Sequence, residues 1–270
     1  MYFSPEKHRE RSLSMFSVIV RSKRRSLFFF SYLMCLYLYH DDVAKILFLI
    51  TSASSFGKSN EFSSGVWLEE LAAPYFIFKK AGCEITFASP AGGPIPIDAN
   101  SLRGPMLTDE SKEFLYDADA MDMFSHTKKL ENVTSVDYDV LYIPGGHGCC
   151  NDFVGNDSVK KAIESMYAAS KTVAIVCHGP IALVECFKAD GTTPLVQGLT
   201  VTGFSDSEEA AVGHTDHVPY LIETKFKEQG ATYEKADDWT SHVCVDGNLV
   251  TGQNPQSSKA AAQKVLELLA

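Results

Sequence analysis

From Val43 onward, short uninterrupted apolar runs alternate with longer segments in which apolar residues recur at helical spacing. Uninterrupted apolar runs are typical of strands buried on both faces, as in a parallel sheet. The runs predict strands at Lys45–Thr51, Glu84–Ser89, Asp139–Pro144, Thr172–Val176 and Leu199–Thr202. The segments between them predict helices at about Gly65–Ala81, Asp157–Ala169, His217–Gln229 and Pro255–Leu269. The alternation predicts an α/β fold with a mostly parallel sheet and helices on both of its faces.

Two segments depart from this alternation. Residues 243–250 have the pattern of a β-hairpin that turns at Asp246-Gly247, a dipeptide favoured in tight hairpin turns. Residues 92–132 form a long Pro-rich excursion with one or two helices around Thr108–Leu130. Because long insertions between core strands often cover a functional site, we expect a lid-like segment here.

The first 42 residues differ from the rest of the chain. Residues 1–40 hold seven Lys or Arg and two Asp or Glu, and Leu27–Tyr39 is a 13-residue apolar run. Such a segment resembles a targeting sequence, although the run is short for a membrane span. We predict an extension over residues 1–42 and one domain over residues 43–270. The extension could be an organelle presequence, a signal anchor or a translated upstream sequence with no role. We predict a cytoplasmic protein, with delivery to an organelle or membrane as the alternative.

Composition and charge narrow the classes of function. The chain has 270 residues, of which 45% are hydrophobic and 21% charged, as is typical of soluble globular proteins. Its net charge of −10 argues against a nucleic acid as partner. The seven cysteines are odd in number and irregularly spaced, which argues against a disulfide framework, and no C-x2-C pair is present to support a zinc ribbon. The pattern therefore predicts a protein of a reducing compartment.

One cysteine stands out by its position. The segment Thr172–Glu185 reads as an apolar strand that ends at Cys177, after which His178-Gly179-Pro180 begins a helix. This strand–turn–helix arrangement is typical of a nucleophile elbow. A helix N-terminus would stabilise a thiolate, and its free N–H groups, with Gly179 first among them, could receive an oxyanion. A buried structural cysteine is the alternative.

A glycine-rich loop follows the preceding strand, at Pro144–Gly148. Loops that follow neighbouring parallel strands emerge at the same edge of a sheet, so the amide of Gly146 is a candidate for the oxyanion site. His147 is a candidate for substrate binding, or else a polar packing residue.

Acid–base partners must come from other segments. Asp206, Glu208 and Glu209 follow a predicted strand, and any of them could orient His178, although the segment also reads as a capped helix start. In the first helix, Glu70 lies near a kink predicted at Pro74, where burial would raise its pKa and suit it for proton transfer. A solvent-exposed glutamate is the alternative.

Two other features are weak candidates for function. His214 and His217 have a spacing found in metal sites, but no third ligand is evident, so we predict surface polar residues and no metal site. Cys149 and Cys150 form a vicinal pair that we interpret as packing.

Several motifs together carry a family resemblance. They are Glu-Glu-Leu-Ala-Ala-Pro from Glu69, P-G-G-H-G from Pro144, A-I-V-C-H-G-P from Ala174, V-T-G-F-S-D-S-E-E from Val201 and V-T-G-Q-N-P-Q-S-S from Val250. In this order they resemble the ThiJ/PfpI superfamily, and more closely its glutathione-independent glyoxalase (glyoxalase III) branch, which includes chaperone-like heat-shock members. The resemblance covers about residues 43–270.

The resemblance implies a flavodoxin-like homodimer that converts methylglyoxal to D-lactate without glutathione, metal or other cofactor. This activity is that of a lyase, D-lactate dehydratase, which serves in the stress response. The family's catalytic triad falls on Cys177, His178 and Glu209, its first-helix glutamate on Glu70, and its loop amide on Gly146.

Other functions are compatible with the same residues. A holdase chaperone of the stress response and a protein deglycase are alternatives to the glyoxalase. A glutaminase or cysteine peptidase is a weaker alternative. Glutaminase domains of the class I amidotransferase type usually take their catalytic histidine from a late H-x-E segment. Here the late His242 is followed by Val243-Cys244.

Overall fold

The computed structural model describes residues 43–270. The predicted extension over residues 1–42 lies outside the described residues. Residues Ala44–Ala270 form one compact unit. Within the described range, no helix combines the length and the apolar content that crossing a membrane would require.

Eleven strands are described, and seven of them form the central sheet. In chain order they are β1 (Lys45–Leu49), β2 (Ser55–Phe56), β3 (Phe62–Ser63), β4 (Glu84–Ser89), β5 (Lys128–Lys129), β6 (Val140–Ile143), β7 (Thr172–Val176), β8 (Thr200–Val201), β9 (Thr232–Tyr233), β10 (Val243–Asp246) and β11 (Leu249–Gly252). The central sheet has the order β10-β11-β7-β6-β1-β4-β5. All its neighbours are parallel except β10 and β11, which form the predicted antiparallel hairpin.

The α-helices follow the strands as the alternating pattern predicts. They are α1 (Leu68–Lys80), α2 (Asp109–Tyr116), α3 (Ala118–Ser125), α4 (Cys149–Asp152), α5 (Asp157–Ala168), α6 (Asp206–Val212), α7 (Ile222–Glu228) and α8 (Ser258–Leu269). Helix α1 runs through Pro74 and packs against α8, whereas α5 contacts β6 and β7. Helices α2 and α3 lie in the predicted insertion.

The core explains why the strands have uninterrupted apolar sequences. Every residue of β6, β7 and β11 is buried, so both faces of the middle of the sheet are covered. Alternating polar residues would place unpaired polar groups in this core. The predicted mostly parallel α/β fold is therefore confirmed.

The prediction for Leu199–Thr202 is wrong in one respect. Only Thr200–Val201 is a strand, and it pairs with Thr232–Tyr233 in a separate two-stranded sheet. The position beside β7 in the central sheet is occupied by β11 of the hairpin. The apolar run is therefore a real strand, but it does not belong to the sheet that the alternation predicted.

Several helix boundaries also differ. The first helix begins at Leu68 rather than Gly65, because the backbone of Val66 is extended and forms a bridge with Ile97 of the insertion. The predicted helix after Cys177 is a 3₁₀ segment, Gly179–Glu185. Helix α7 starts at Ile222, five residues after the predicted start at His217.

Candidate active site

The backbone at Cys177 has an unusual conformation that the neighbouring chain holds in place. Cys177 directly follows β7 and has a φ of 58°, in the left-handed region that residues with a side chain seldom adopt. Its N–H donates to the carbonyl of Gly252 at 2.9 Å, and its carbonyl accepts from the N–H of Phe204 at 2.9 Å. Both backbone groups are thus satisfied in the strained turn, as expected for a nucleophile elbow.

The adjacent imidazole links the thiol to a carboxylate. Nδ1 of His178 lies 3.3 Å from Sγ of Cys177, and Nε2 lies 2.8 Å from Oε2 of Glu209. An ionised carboxylate only accepts hydrogen bonds, so Nε2 of His178 carries the proton. In the neutral imidazole, Nδ1 is then the unprotonated nitrogen, which can accept the proton of the thiol.

The carboxylate of Glu209 serves a second histidine as well. Nε2 of His147 donates to Oε1 of Glu209 at 2.8 Å, and the rings of His147 and His178 lie 3.8 Å apart. Although burial opposes it, the two histidines hold the pKa of Glu209 well below its usual range. Burial and the proximity of His178 lower the pKa of His147. The group is thus one carboxylate shared by two imidazoles.

The structure separates the three carboxylates that follow Phe204. Glu208 forms a capping box with Ser205 at the start of α6 and also accepts from the N–H of Trp239. Asp206 accepts from the hydroxyl of Thr224. Only Glu209 reaches His178. The capped helix start that was the alternative prediction is also present, but its capping box is formed by Glu208 and not by Glu209.

Glu70 approaches the thiol from the other side. It is fully buried in the first turn of α1, and its Oε2 accepts from the N–H of Gly145 at 2.7 Å. Burial raises the pKa of Glu70 to about 8, although the neighbouring Cys177 and the Gly145 N–H oppose the rise. Oε1 has no hydrogen-bond partner among the described residues, so it is the oxygen available to carry a proton.

The expected stabilisation of a thiolate by a helix terminus is wrong for this conformation. Burial, followed by the Glu70 carboxyl, raises the pKa of Cys177 well above its ordinary value. The segment after Cys177 is a short 3₁₀ turn, whose dipole is small beside the loss of hydration. The thiol is therefore protonated at rest, so any reaction at the sulfur would require the transfer of its proton.

The glycine-rich loop brings an amide to the sulfur. The N–H of Gly146 interacts with Sγ of Cys177 and opposes the rise of its pKa. Gly146 has a φ of 106°, and a Cβ there would lie 2.2 Å from the carbonyl oxygen of Gly65. Glycine is thus required for the loop to pass this close to the start of α1. Gly179 packs against Ile143 and Ile175 of the sheet, and its part in an oxyanion site stays a prediction.

A cavity of about 310 Å³ opens onto the sulfur. Its lining is largely apolar and consists of Trp67, Met106, Gly146, His147, Cys177, His178, Phe204, Val212, Trp239, Pro255 and Gln256. Met106 belongs to the insertion between β4 and β6, which thus contributes to the wall of the pocket, as the prediction of a lid-like segment requires. The volume lies at the low end for small-molecule sites.

Among the described residues, the side chains of the remaining candidates form no hydrogen bond with Cys177, His178, Glu209 or Glu70, although the ring of His214 lies 5.0 Å from that of His147. The rings of His214 and His217 contact Phe62, and within residues 43–270 neither belongs to a cluster of three metal-ligating side chains. Cys149 and Cys150 are buried in α4, as expected for packing. His147, His178 and Glu209 do form a cluster of metal-ligand types, but their hydrogen bonds already engage one another.

A model of the DJ-1/PfpI family matches residues 62–268. The chain belongs to this family. The resemblance inferred from the motifs is thereby confirmed, and the flavodoxin-like sheet described above is the family's fold.

Several DJ-1/PfpI relatives are similar over most of their length. Glyoxalase 3 of Candida albicans is 30% identical over 231 residues, which cover 83% of this chain and 98% of the relative. The protein named glutathione-independent glyoxalase HSP31 of Saccharomyces cerevisiae is 29% identical over 232 residues, with coverage of 83% and 98%.

Solved structures agree with this assignment. Glyoxalase III of Candida albicans superposes with a TM-score of 0.76 at 29% identity and covers 83% of this chain and 96% of its own. The Rapid Encystment Protein 24 KDa of Francisella tularensis superposes with a TM-score of 0.79 at 34% identity, with coverage of 84% and 100%.

Sequence reasoning missed some residues of the site. The hydrogen bond from His147 to Glu209 was not predicted, because it joins a loop to helix α6 across 62 positions of sequence. Phe204, whose ring lies 4.2 Å from that of His178, and Trp239 were also missed as parts of the pocket. Phe204 could have been found, because it lies between a predicted strand and the acidic helix start. No sequence pattern indicated Trp239.

Proposed function

We propose that the protein is a glutathione-independent glyoxalase, which converts methylglyoxal and related 2-oxoaldehydes to 2-hydroxy acids, with D-lactate as the product from methylglyoxal. The observation that carries the proposal is the position of the Cys177 sulfur between two groups that can transfer protons. One is Nδ1 of His178 at 3.3 Å and the other is the buried carboxyl of Glu70. The names of the fungal relatives support the same activity.

The first step forms a bond between the protein and the aldehyde. The thiol proton of Cys177 moves to Nδ1 of His178 as the sulfur bonds to C1 of methylglyoxal. The imidazolium that results is stabilised by the carboxylate of Glu209 at 2.8 Å. The aldehyde oxygen takes the proton of Glu70, which is protonated at neutral pH because its pKa is about 8. The product is a hemithioacetal.

The second step moves a hydrogen from C1 to C2. The Glu70 carboxylate removes the hydrogen from C1 while the imidazolium of His178 protonates the ketone oxygen, which gives an enediol. Glu70 returns the hydrogen at C2 and takes back the hydroxyl proton from C1, which leaves a thioester of lactate on Cys177. A carboxyl group that gives and takes protons in turn functions best with a pKa near the working pH.

Hydrolysis completes the cycle. Water adds to the thioester with His178 as its base, and the departing sulfur takes the proton back. The N–H of Gly146, which faces Sγ, is close enough to interact with negative charge that develops at this position. The sum is methylglyoxal plus water to lactate plus one proton, so no external reductant or oxidant takes part.

The pocket supports a small substrate. Its apolar walls, with Trp67, Phe204 and Trp239 among them, limit the water around the reacting carbons. A volume of about 310 Å³ favours a free 2-oxoaldehyde as substrate. A deglycase would instead have to admit the side chain of a folded protein.

The proposed enzyme is a lyase of the D-lactate dehydratase class. We further propose that it is a homodimer in the cytoplasm and that it detoxifies methylglyoxal under stress. Sedimentation of the purified full chain tests the dimer.

The test of the function is product formation by the wild-type full chain. The protein is incubated with methylglyoxal in EDTA and without glutathione, and D- and L-lactate are measured separately. We expect D-lactate to accumulate in proportion to enzyme concentration. No lactate, or lactate only after glutathione is added, would overturn the proposal.

A further inference from the structure

A second cysteine–histidine pair lies at the edge of the central sheet. Sγ of Cys244, in β10, is 3.5 Å from Nε2 of His242, which directly precedes that strand. The carboxylate of Glu234, just after β9, lies near this pair. One ligand atom of each of the three residues lies within 4.8 Å of the other two. None of these three residues lines the cavity at Cys177.

The backbone holds all three residues in place. His242 donates its N–H to Oγ of Ser257 at 3.1 Å, and its carbonyl accepts from the N–H of Gln253 at 3.0 Å. Cys244 pairs with Thr251 in the hairpin. The two residues are two positions apart in extended chain, a spacing that directs side chains to the same face. The N–H of Glu234 donates to the carbonyl of Val201 at 2.9 Å, which fixes the third member.

The geometry matches that of a tetrahedral metal site. With zinc–sulfur and zinc–nitrogen bonds of about 2.3 and 2.05 Å, the sulfur and nitrogen of a tetrahedral site are separated by about 3.6 Å. The observed separation is 3.5 Å. Glu234 is exposed, so its carboxylate can adjust its rotamer to complete a third bond. A hydrogen bond between the thiol and the imidazole would explain the first distance, but it would not bring a carboxylate to the same point.

We propose that Glu234, His242 and Cys244 bind a divalent cation that accepts sulfur, nitrogen and oxygen ligands, with Zn²⁺ as the preferred ion. A thiolate and an imidazole favour such an ion over Mg²⁺ or Ca²⁺. With three protein ligands and an exposed side at Glu234, the fourth position belongs to water, as in open zinc sites.

The ion joins the two ends of one loop. Residues 235–241 connect Glu234 to His242, and this loop carries Trp239 to the wall of the active-site cavity. The N–H of Trp239 donates to Oε1 of Glu208, and its ring lies 5.8 Å from that of Phe204. A bond across the ends of the loop reduces the conformational freedom that the loop gains on opening. The ion therefore stabilises one wall of the pocket from outside it. The binding test below does not depend on the proposed enzymatic activity.

Cobalt provides a direct test, because Co²⁺ bound to a thiolate absorbs in the near ultraviolet and a tetrahedral Co²⁺ absorbs in the visible. The test uses the untagged full chain with Cys177→Ala, which removes binding at the active-site sulfur. We expect one equivalent of Co²⁺ to produce both absorptions and Zn²⁺ to displace it. Absence of the thiolate band in this protein would overturn the proposal.

Added substitutions identify the ligands. Cys244→Ser should abolish the thiolate band, whereas Glu234→Gln should keep it and weaken binding by about tenfold or more. Cys83→Ser, which removes a thiol outside the cluster, is the matched control and should change nothing. Undiminished binding after Cys244→Ser or Glu234→Gln would contradict the assignment.

A third ligand substitution tests the site if Cys244→Ser does not fold. If circular dichroism shows that Cys244→Ser disrupts the fold, His242→Gln removes a ligand and leaves the buried thiol intact. It should weaken Co²⁺ binding by about tenfold or more. Unchanged affinity would overturn the proposal. In the protein without these ligand substitutions, saturating Zn²⁺ should raise the Tm, and Glu234→Gln should make that rise smaller.

Discussion

His147 donates a hydrogen bond from Nε2 to Oε1 of Glu209 at 2.8 Å, while the other oxygen of the same carboxylate accepts from His178. Glu209 therefore has a donor for each oxygen, and its orientation toward His178 is determined from both sides. His147 lines the cavity as well. We therefore propose that His147 positions His178 through Glu209.

Replacing His147 with Phe, which keeps a ring but loses the donor, should lower kcat/KM for methylglyoxal by about tenfold. A buried carboxylate oxygen without a partner costs about 1–3 kcal/mol, and 1.4 kcal/mol corresponds to tenfold. Because His147 helps to lower the pKa of Glu209, the loss of activity at acidic pH should begin at a higher pH in this variant. His147→Gln retains a donor and should recover most of the activity. An unchanged pH profile in His147→Phe would contradict this role.

Replacing Glu70 with Gln should make the protein more stable at alkaline pH. The pKa of Glu70 is about 8 in the folded protein, against its ordinary value of 4.5. Between these values the folded state binds more protons than the unfolded state, so the free energy of unfolding of the wild type falls as pH rises from about 4.5 to about 8. Gln cannot ionise and avoids this loss, which is on the order of a few kcal/mol.

Urea unfolding at pH 5 and at pH 8.5 measures the effect. The stability of Glu70→Gln relative to wild type should be greater at pH 8.5 than at pH 5. Glu113→Gln, at an exposed position of α2, is the matched control and should show no such trend. If the stability of Glu70→Gln relative to wild type were equal at both pH values, the pKa of Glu70 would not be raised in the folded protein.

Replacing Gly146 with Ala should disrupt the loop beside the sulfur. The new Cβ would meet the carbonyl oxygen of Gly65 at 2.2 Å, and the φ of 106° is strained for any residue with a side chain. We expect a loss of stability of about 1–3 kcal/mol and a large loss of activity, because the Gly146 N–H would move away from Sγ. Gly155→Ala also has a positive φ but meets nothing within 4 Å, so it isolates the effect of the close approach. Equal activities of the two variants would contradict the account.

The sequence predicts the elbow well because the chemistry there is local. An apolar strand followed by Cys177, His178 and a Gly-Pro pair specifies a strand and a turn within a few residues. The fold around it is equally apparent, since buried parallel strands require uninterrupted apolar runs. The sequence pattern predicts the wrong sheet for Thr200–Val201, because strand pairing depends on which segment lies beside β7 in space, and β11 takes that position.

The electrostatics could not be predicted in the same way. A helix terminus after Cys177 suggested a stabilised thiolate, but the neighbour that matters most is Glu70, 107 positions away, together with the loss of hydration of both groups. The choice of Glu209 over Glu208 likewise depends on which carboxylate the capping box uses. Such effects depend on contacts between distant segments, and residue spacing does not specify them.

The proposed acid–base role of Glu70 predicts its own kinetic signature. Glu70→Gln should reduce the rate of lactate formation by about 10²–10⁴-fold, as is typical when a general acid or base is removed. The Gln side chain can still accept from the Gly145 N–H, so the loop should stay in place. Pre-steady-state measurement should show that hydrogen transfer has become slower than addition of the thiol. A variant that turns over at the wild-type rate would exclude Glu70 from proton transfer.

The reactivity of the Cys177 sulfur is the central claim, and the most direct measurement compares two cysteine variants. D-lactate formation from methylglyoxal, without glutathione, is followed for the wild type, Cys177→Ala and Cys83→Ala. We expect Cys177→Ala to form no lactate above the rate without enzyme and Cys83→Ala to retain the wild-type rate. Turnover by folded Cys177→Ala at a rate comparable to the wild type would contradict the central claim.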